Sequence, residues 1–222
     1  FMAWLTMSLT AALWRRFALV QPFGFILVGF CLLVAALGES DPQITHLMPV
    51  LSSPLLSVHV ACMMISYTLF GMVALNGGMA LIVSRAGRPG SILSRDGADG
   101  RDICEAHDRK DCEASDRRRE ILLQMRDTAL VILYPALFFL TAGTFLGAVW
   151  ANVSWGRYWA WDPKEVWALI TMLVYSLAVH GGILRIFRRP VFFHAFCVLA
   201  FLCVVITYFG VNFILGGLHS YA

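Results

Sequence analysis

The segment Trp155-Gly-Arg-Tyr-Trp-Ala-Trp-Asp-Pro-Lys-Glu165 is where residue types and spacing first suggest chemistry. Three tryptophans and a tyrosine (Trp155, Tyr158, Trp159 and Trp161) fall within seven residues, directly before a helix-start signature and between two long apolar runs. Indole and phenol faces gathered in one place form a platform for a large planar ligand, with haem as the leading candidate. Trp155, Tyr158 and Trp159 have i, i+3, i+4 spacing and would share one face if that stretch were helical; Trp150 and Trp161 extend the apolar surface. The competing reading is an interfacial belt, with Trp and Tyr at headgroup depth. A belt spreads its aromatics over many helix ends, so their concentration in one loop favours the platform.

Histidines supply complementary chemistry, because haem iron takes axial imidazole. His59 lies about 7–8 Å below the helix start marked by Ser53-Pro54. His219 follows Val191 by 28 residues (219 − 191). A continuous helix rises about 42 Å over that distance, against a hydrocarbon core of about 30 Å. His219 is therefore expected on the same side as His59 and the tryptophan loop, with Gly216-Gly217 allowing a turn before it. His180 falls about 25 Å into the run that begins at Pro163, near the opposite boundary. An ionisable group inside a membrane is a functional candidate by default; the alternative is a polar helix end adjoining Gly181-Gly182. His194, at a similar depth, reads as flanking the Arg188-Arg189 anchor, and His46 and His107 fall in loops without an assigned role.

Asp162-Pro163-Lys164-Glu165 has a structural reading of its own. Asp at N-cap, Pro at N1 and Glu at N3 form a strong helix-start signature, which would also fix the aromatic loop against the helix below. Arg157 and Lys164 are the only cations on that face. Pairing with a ligand's carboxylates and pairing with lipid headgroups both remain open for them.

The elements that must position these residues are membrane helices. The chain is 222 residues long, 59% apolar and 14% charged, whereas soluble domains run to about 25% charged residues. Residues 17–38, 43–84, 128–156, 166–184 and 190–222 contain no Asp, Glu, Lys or Arg, and a crossing takes about 20 apolar residues. Helices are expected at 1–13 (partial), 17–38, 54–83, 128–150, 163–184 and 191–215, because only helices or closed barrels satisfy backbone groups in lipid. The fold class is thus all-α, a polytopic transmembrane helical bundle of about six spans with an outer-face aromatic loop. Phe1–Leu13 reads as the end of a span; a signal peptide would carry its basic residues before the apolar run, and Arg15-Arg16 follows it.

Fifteen of the 17 Lys/Arg lie at 15–16, 85–126 or 185–189. The positive-inside rule makes these clusters cytoplasmic, which puts residues 39–54, the tryptophan loop and the C-terminus on the outer face. The expected organisation is N-terminal transmembrane helices over 1–83 with an outer loop at 39–53, a charged cytoplasmic insertion over 84–127, and a haem-handling domain over 128–222. The insertion alternates acid and base, so opposite charges nearly cancel and nucleic acid is not expected as a partner. Its first part reads as disordered or loosely helical, its last turns as an extension of the next helix. There are six Cys and no Cys-x-x-Cys pair; none falls on the outer face, so disulfides and dithiol redox work there are not expected.

Trp155-Gly-x-Tyr-Trp-x-Trp-Asp-Pro-Lys-Glu165, followed by an apolar helix bearing His180, resembles the WWD domain of haem-handling proteins. Ser53-Pro-Leu-Leu-Ser-Val-His59 and the ending Gly216-Gly-Leu-His-Ser-Tyr221 resemble the CcsA (ResC) family of the System II cytochrome c synthase. The likeness covers most of the chain from about Ser52, the charged insertion excepted. It implies a protein of the bacterial inner membrane or thylakoid equivalent that binds haem b as a substrate and presents it for thioether attachment to apocytochrome c carrying Cys-x-x-Cys-His. Its implied partners are CcsB (ResB), a thiol-reducing thioredoxin-like protein and membrane lipid. His59 and His219 would be outer axial ligands, His180 a transmembrane haem ligand, and Trp155, Arg157, Tyr158, Trp159, Trp161 and Asp162 the haem-binding loop. The rival readings are a haem chaperone or exporter without lyase activity, as in the CcmC relatives, and a transporter with only an interfacial tryptophan belt.

Overall fold

The computed structural model describes residues 53–85, 101–181 and 183–209, with backbone alone over 101–112, together with positions 4, 7, 8, 11, 24–26, 28 and 29. Those early positions are helical; the rest of the expected helices at 1–13 and 17–38, the expected loop at 39–53 up to residue 52, and everything past 209 lie outside the described residues. Helix α1 spans Pro54–Arg85, α2 Arg101–Trp155, α3 Pro163–Val179 and α4 Pro190–Val205, with a 3-10 turn at Arg185–Arg188 and a π turn over 206–209 after α4. No strand occurs among the described residues.

Helix α2 is far longer than the expected 128–150. Over its 55 residues it extends about 80 Å. No Gly or Pro interrupts it from Arg101 to Tyr134, and Glu113, Asp116, Arg117, Arg119, Glu120 and Asp127 stand exposed, where their charges cost little. Apolar Leu122 and Met125 pack with Ala80 and Val83 of α1, and Asn76 Nδ2 donates to the Met125 carbonyl at 2.8 Å. The last turns of 84–127 thus extend the next helix as expected, and the helix continues back to Arg101. At the other end α2 runs on to Trp155 and stops at Gly156, whose φ of 74° is the left-handed conformation that glycine adopts freely after a helix. The Gly156 N–H still reaches the Asn152 carbonyl at 2.9 Å. Trp155, Tyr158 and Trp159 therefore do not share a helical face.

Helix α3 ends at Val179 with His180 as C-cap, five residues short of the expected 184. Gly181 and Gly182 are poor helix residues, and Arg126 of α2 holds the following loop. Its Nε donates to the Phe187 carbonyl at 3.1 Å, and its guanidinium lies 5.6 Å from the Phe193 ring centroid.

Helix α1 packs against α2 and α4, and α3 against α4 and α2. The core joins Tyr67, Phe70 and Val73 to Leu133, Ala136 and Leu140, Tyr175, Phe193 and Cys197. Phe70 stacks on Tyr175 with centroids 4.2 Å apart. Buried hydroxyls find partners across helices: Ser66 Oγ donates to the Ala136 carbonyl at 2.9 Å and Tyr175 OH to the Cys197 carbonyl at 3.1 Å. Such bonds are the usual glue of membrane helices. Among the described residues three helices are long and apolar enough to cross a bilayer: Pro54–Arg85, Glu113–Trp155 and Pro190–Phe209. Helix α3, with 17 residues, is about 25 Å long, slightly under the hydrocarbon thickness of about 30 Å. The chain is a helical membrane bundle.

Candidate functional site

A cavity of about 390 Å³ opens where the start of α1, the end of α2, the start of α3 and the π turn after α4 meet. That volume is in the range of small-molecule sites. His59, Met63 and Tyr67 line it from α1, Gly147 and Trp150 from α2, Tyr158 and Trp159 from the loop, Lys164 and Glu165 from α3, and Tyr208 from the π turn. Most of the wall is apolar or aromatic, with one cation and one carboxylate at the α3 end.

His59 enters from α1 and is half-buried. Its Nδ1 lies 2.6 Å from the carbonyl oxygen of Gly143. A carbonyl only accepts, so Nδ1 donates; in the neutral imidazole the lone pair then resides on Nε2. Orientation by a backbone carbonyl is the arrangement that metal-ligating histidines commonly use. The ring fits because position 147 has no side chain: a Cβ there would sit 2.7 Å from the His59 Cε1.

The loop is held from α3. Asp162 is buried at 6% exposure and its carboxylate accepts from the Lys164 N–H at 3.2 Å. Glu165 Oε2 accepts from the Asp162 N–H at 3.2 Å, completing the capping box, and also from the Ala160 N–H at 2.8 Å. That extra bond ties the α3 start to the middle of the loop and brings Tyr158 and Trp159 against the cavity. Trp161 adopts a φ of 56°, which a bulky residue rarely takes. It is 73% exposed and packs edge-to-face on Trp159 with centroids 6.0 Å apart.

The residues singled out in the sequence thus separate. His59, Tyr158 and Trp159 line the cavity; Trp155, Arg157, Trp161 and Asp162 do not. Trp155 instead stands edge-to-face to Trp150 at 4.9 Å, and Asp162 works as the cap. Of the two cations, Lys164 reaches the cavity. Trp150 also lines it, and its buried Nε1–H meets no acceptor among the described residues. His180 lies at the far end of α3, about 22 Å from Glu165 along the axis. Its ring is exposed, with Nδ1 2.6 Å from the Ser176 carbonyl. His219 lies outside the described residues. Gly143, Gly147 and the second bond of Glu165 were not singled out from sequence; the Gly-x-x-x-Gly spacing of 143 and 147 is the signal that points to close helix approach.

Comparison with known proteins places this arrangement among relatives. The family described as cytochrome C assembly protein matches residues 1–219. The chain is 35% identical to Protein NrfI of Wolinella succinogenes over 222 residues, covering 100% of this chain and 22% of that protein. It is 35% identical to the cytochrome c biogenesis protein CcsA of Guillardia theta over 211 residues, covering 92% of this chain and 65% of the relative. The CcsA of Synechococcus sp. (strain CC9902) is 32% identical over 230 residues, with 100% of this chain and 74% of the relative covered. The chain therefore spans under a quarter of NrfI and about two thirds of the Guillardia CcsA.

Proposed function

We propose a haem-handling role for this chain, which belongs to the cytochrome c assembly protein family and, within it, to the CcsA-type proteins. Membership carries a role in cytochrome c maturation, in an integral membrane protein. Beyond that, our reading is that haem b is bound as a substrate beside His59 and presented to apocytochrome c bearing Cys-x-x-Cys-His. The observation that carries it is the His59 ring, oriented through Nδ1 by the Gly143 carbonyl in a cavity walled by Tyr158 and Trp159. Nε2 is then the nitrogen suited to iron.

Each remaining group has a task in this reading. Tyr158 and Trp159 bound a planar face, while Lys164 and the Trp150 N–H offer a cation and a donor to the propionates. His219 is proposed as the second outer ligand, and exposed His180 as a ligand at an inner site completed by another subunit or by a segment preceding residue 1. Thioether formation adds each acceptor thiol across a haem vinyl: the sulfur bonds one vinyl carbon and the thiol proton ends on the other. The nucleophile thus comes from the acceptor, and this chain contributes orientation and exclusion of misplaced attack. By the positive-inside rule the cavity faces outward and residues 84–127 form a cytoplasmic insertion, in the bacterial inner membrane or its thylakoid equivalent. CcsB and a thiol-reducing thioredoxin-like protein are the proposed partners.

The test is the visible spectrum, oxidised and dithionite-reduced, of the detergent-purified protein beside a His59→Ala/His219→Ala variant. Low-spin haem bands that shrink or shift in the variant are expected. Haem-free wild type, produced with its CcsB partner under ample haem supply, would refute the assignment. Haem binding without thioether product on an acceptor peptide would leave a chaperone rather than a lyase.

A further inference from the structure

We infer that Gly143 and Gly147 are positioning residues for His59: together they form a seat in α2 that accepts the ring, keeps the proton on Nδ1 and turns Nε2 toward the ligand. This rests on the reading of His59 as a haem ligand. The two glycines are one helical turn apart and act differently. At position 147 a Cβ would lie 2.7 Å from Cε1, 2.8 Å from Nδ1 and 3.4 Å from Nε2 of His59. The Cε1 corner of the ring thus occupies the space a side chain would need, and any residue but glycine displaces the ring. At position 143 a Cβ would lie 2.8 Å from Met63 Sδ and 3.3 Å from Cys62 Cβ. Glycine there lets the backbone of α1 approach α2 closely, which brings the Gly143 carbonyl within 2.6 Å of Nδ1.

One carbonyl bond and one missing side chain therefore set both the tautomer and the direction of the ring before ligand arrives. Displaced by a methyl group at 147, the ring is moved off the carbonyl that holds the proton on Nδ1. At Gly78, by contrast, a Cβ would meet nothing within 4 Å, so this position serves as the control for a helical glycine without a seat.

The experiment compares Gly147→Ala, His59→Ala, the double variant and Gly78→Ala in the full-length protein, co-purified with its membrane partner and endogenous haem. Gly147→Ala should lose low-spin haem absorbance to the level of His59→Ala, added imidazole should restore it in both, and Gly78→Ala should match wild type. In thermal unfolding, Gly147→Ala should lower Tm in the His59 background and by less than half as much in the His59→Ala background, where the ring is gone. A wild-type spectrum in Gly147→Ala, or an equal Tm loss in both backgrounds, would overturn the proposal and leave the glycines as helix-packing residues. Should Gly147→Ala fail to accumulate, His59→Ala and the double variant carry the test: equal accumulation supports the seat and failure of the double variant overturns it. A wild-type haem spectrum in His59→Ala overturns the ligand reading instead, and is told apart because the Tm coupling scores the seat without haem.

Discussion

Glu165→Ala tests how the aromatic loop is held. One carboxylate oxygen accepts from the Ala160 N–H at 2.8 Å and from the Asp162 N–H at 3.2 Å. A hydrogen bond to a charged group contributes about 1.5–3 kcal/mol; both donors are partly buried, so the lower end applies to each. Losing the pair should destabilise the closed loop by about 3 kcal/mol, or about 100-fold in its opening equilibrium at 1.4 kcal/mol per decade. Glu165→Gln keeps an acceptor without the charge and should cost about half as much, since neutral bonds are roughly half as strong. The assay is hydrogen exchange by mass spectrometry over residues 156–166. Faster exchange is expected there, with α1 and α2 amides unchanged. Haem retention should fall in the same order, wild type above Gln above Ala. Loop exchange in Glu165→Ala within twofold of wild type would refute the claim that this carboxylate ties α3 to the loop.

Two further substitutions probe the packing behind the site. Gly77→Ala places a Cβ 3.0 Å from Val198 Cγ2 and 3.1 Å from the His194 carbonyl oxygen. The carbonyl belongs to a helix backbone that moves little, so overpacking should cost about 1–3 kcal/mol and lower Tm, while Gly78→Ala should be neutral or gain up to about 1 kcal/mol from helix propensity. His194 is fully buried, and among the described residues its ring nitrogens have only the Leu122 backbone close by, short of hydrogen-bond geometry. His194→Leu removes these unsatisfied atoms, whose burial costs about 1–3 kcal/mol, and should hold or raise Tm in detergent; a clear fall in Tm would show that the imidazole is bonded in the membrane.

Local chemistry was legible in the sequence wherever neighbours along the chain decide the outcome. The Asp162-Pro163-Glu165 cap is formed as its spacing indicates, because every bond in it joins residues within one helical turn. The all-helical membrane class follows equally directly, since long uncharged runs have few ways to satisfy their backbone in lipid. Helix ends were less legible. An extension of the helix before 128 was expected, but its reach back to Arg101 and its packing of Leu122 and Met125 on Ala80 and Val83 were not. The loop after Val179 is held by Arg126 reaching Phe187. Composition records neither contact.

What only the tertiary structure decided is which side chains share a space. Trp155, Trp159 and Trp161 are equivalent as letters, yet Gly156 turns the chain so that Trp159 lines the cavity while Trp155 packs on Trp150 and Trp161 stands in the open. Arg157 and Lys164 looked interchangeable until the α3 start placed Lys164 alone at the wall. The sequence by itself determined a helical membrane protein with a capped aromatic loop, because those properties depend on composition and short-range spacing. The seat of His59 against Gly143 and Gly147 was decided by the fold. A bond across 84 positions of chain exists only once two helices have found their register.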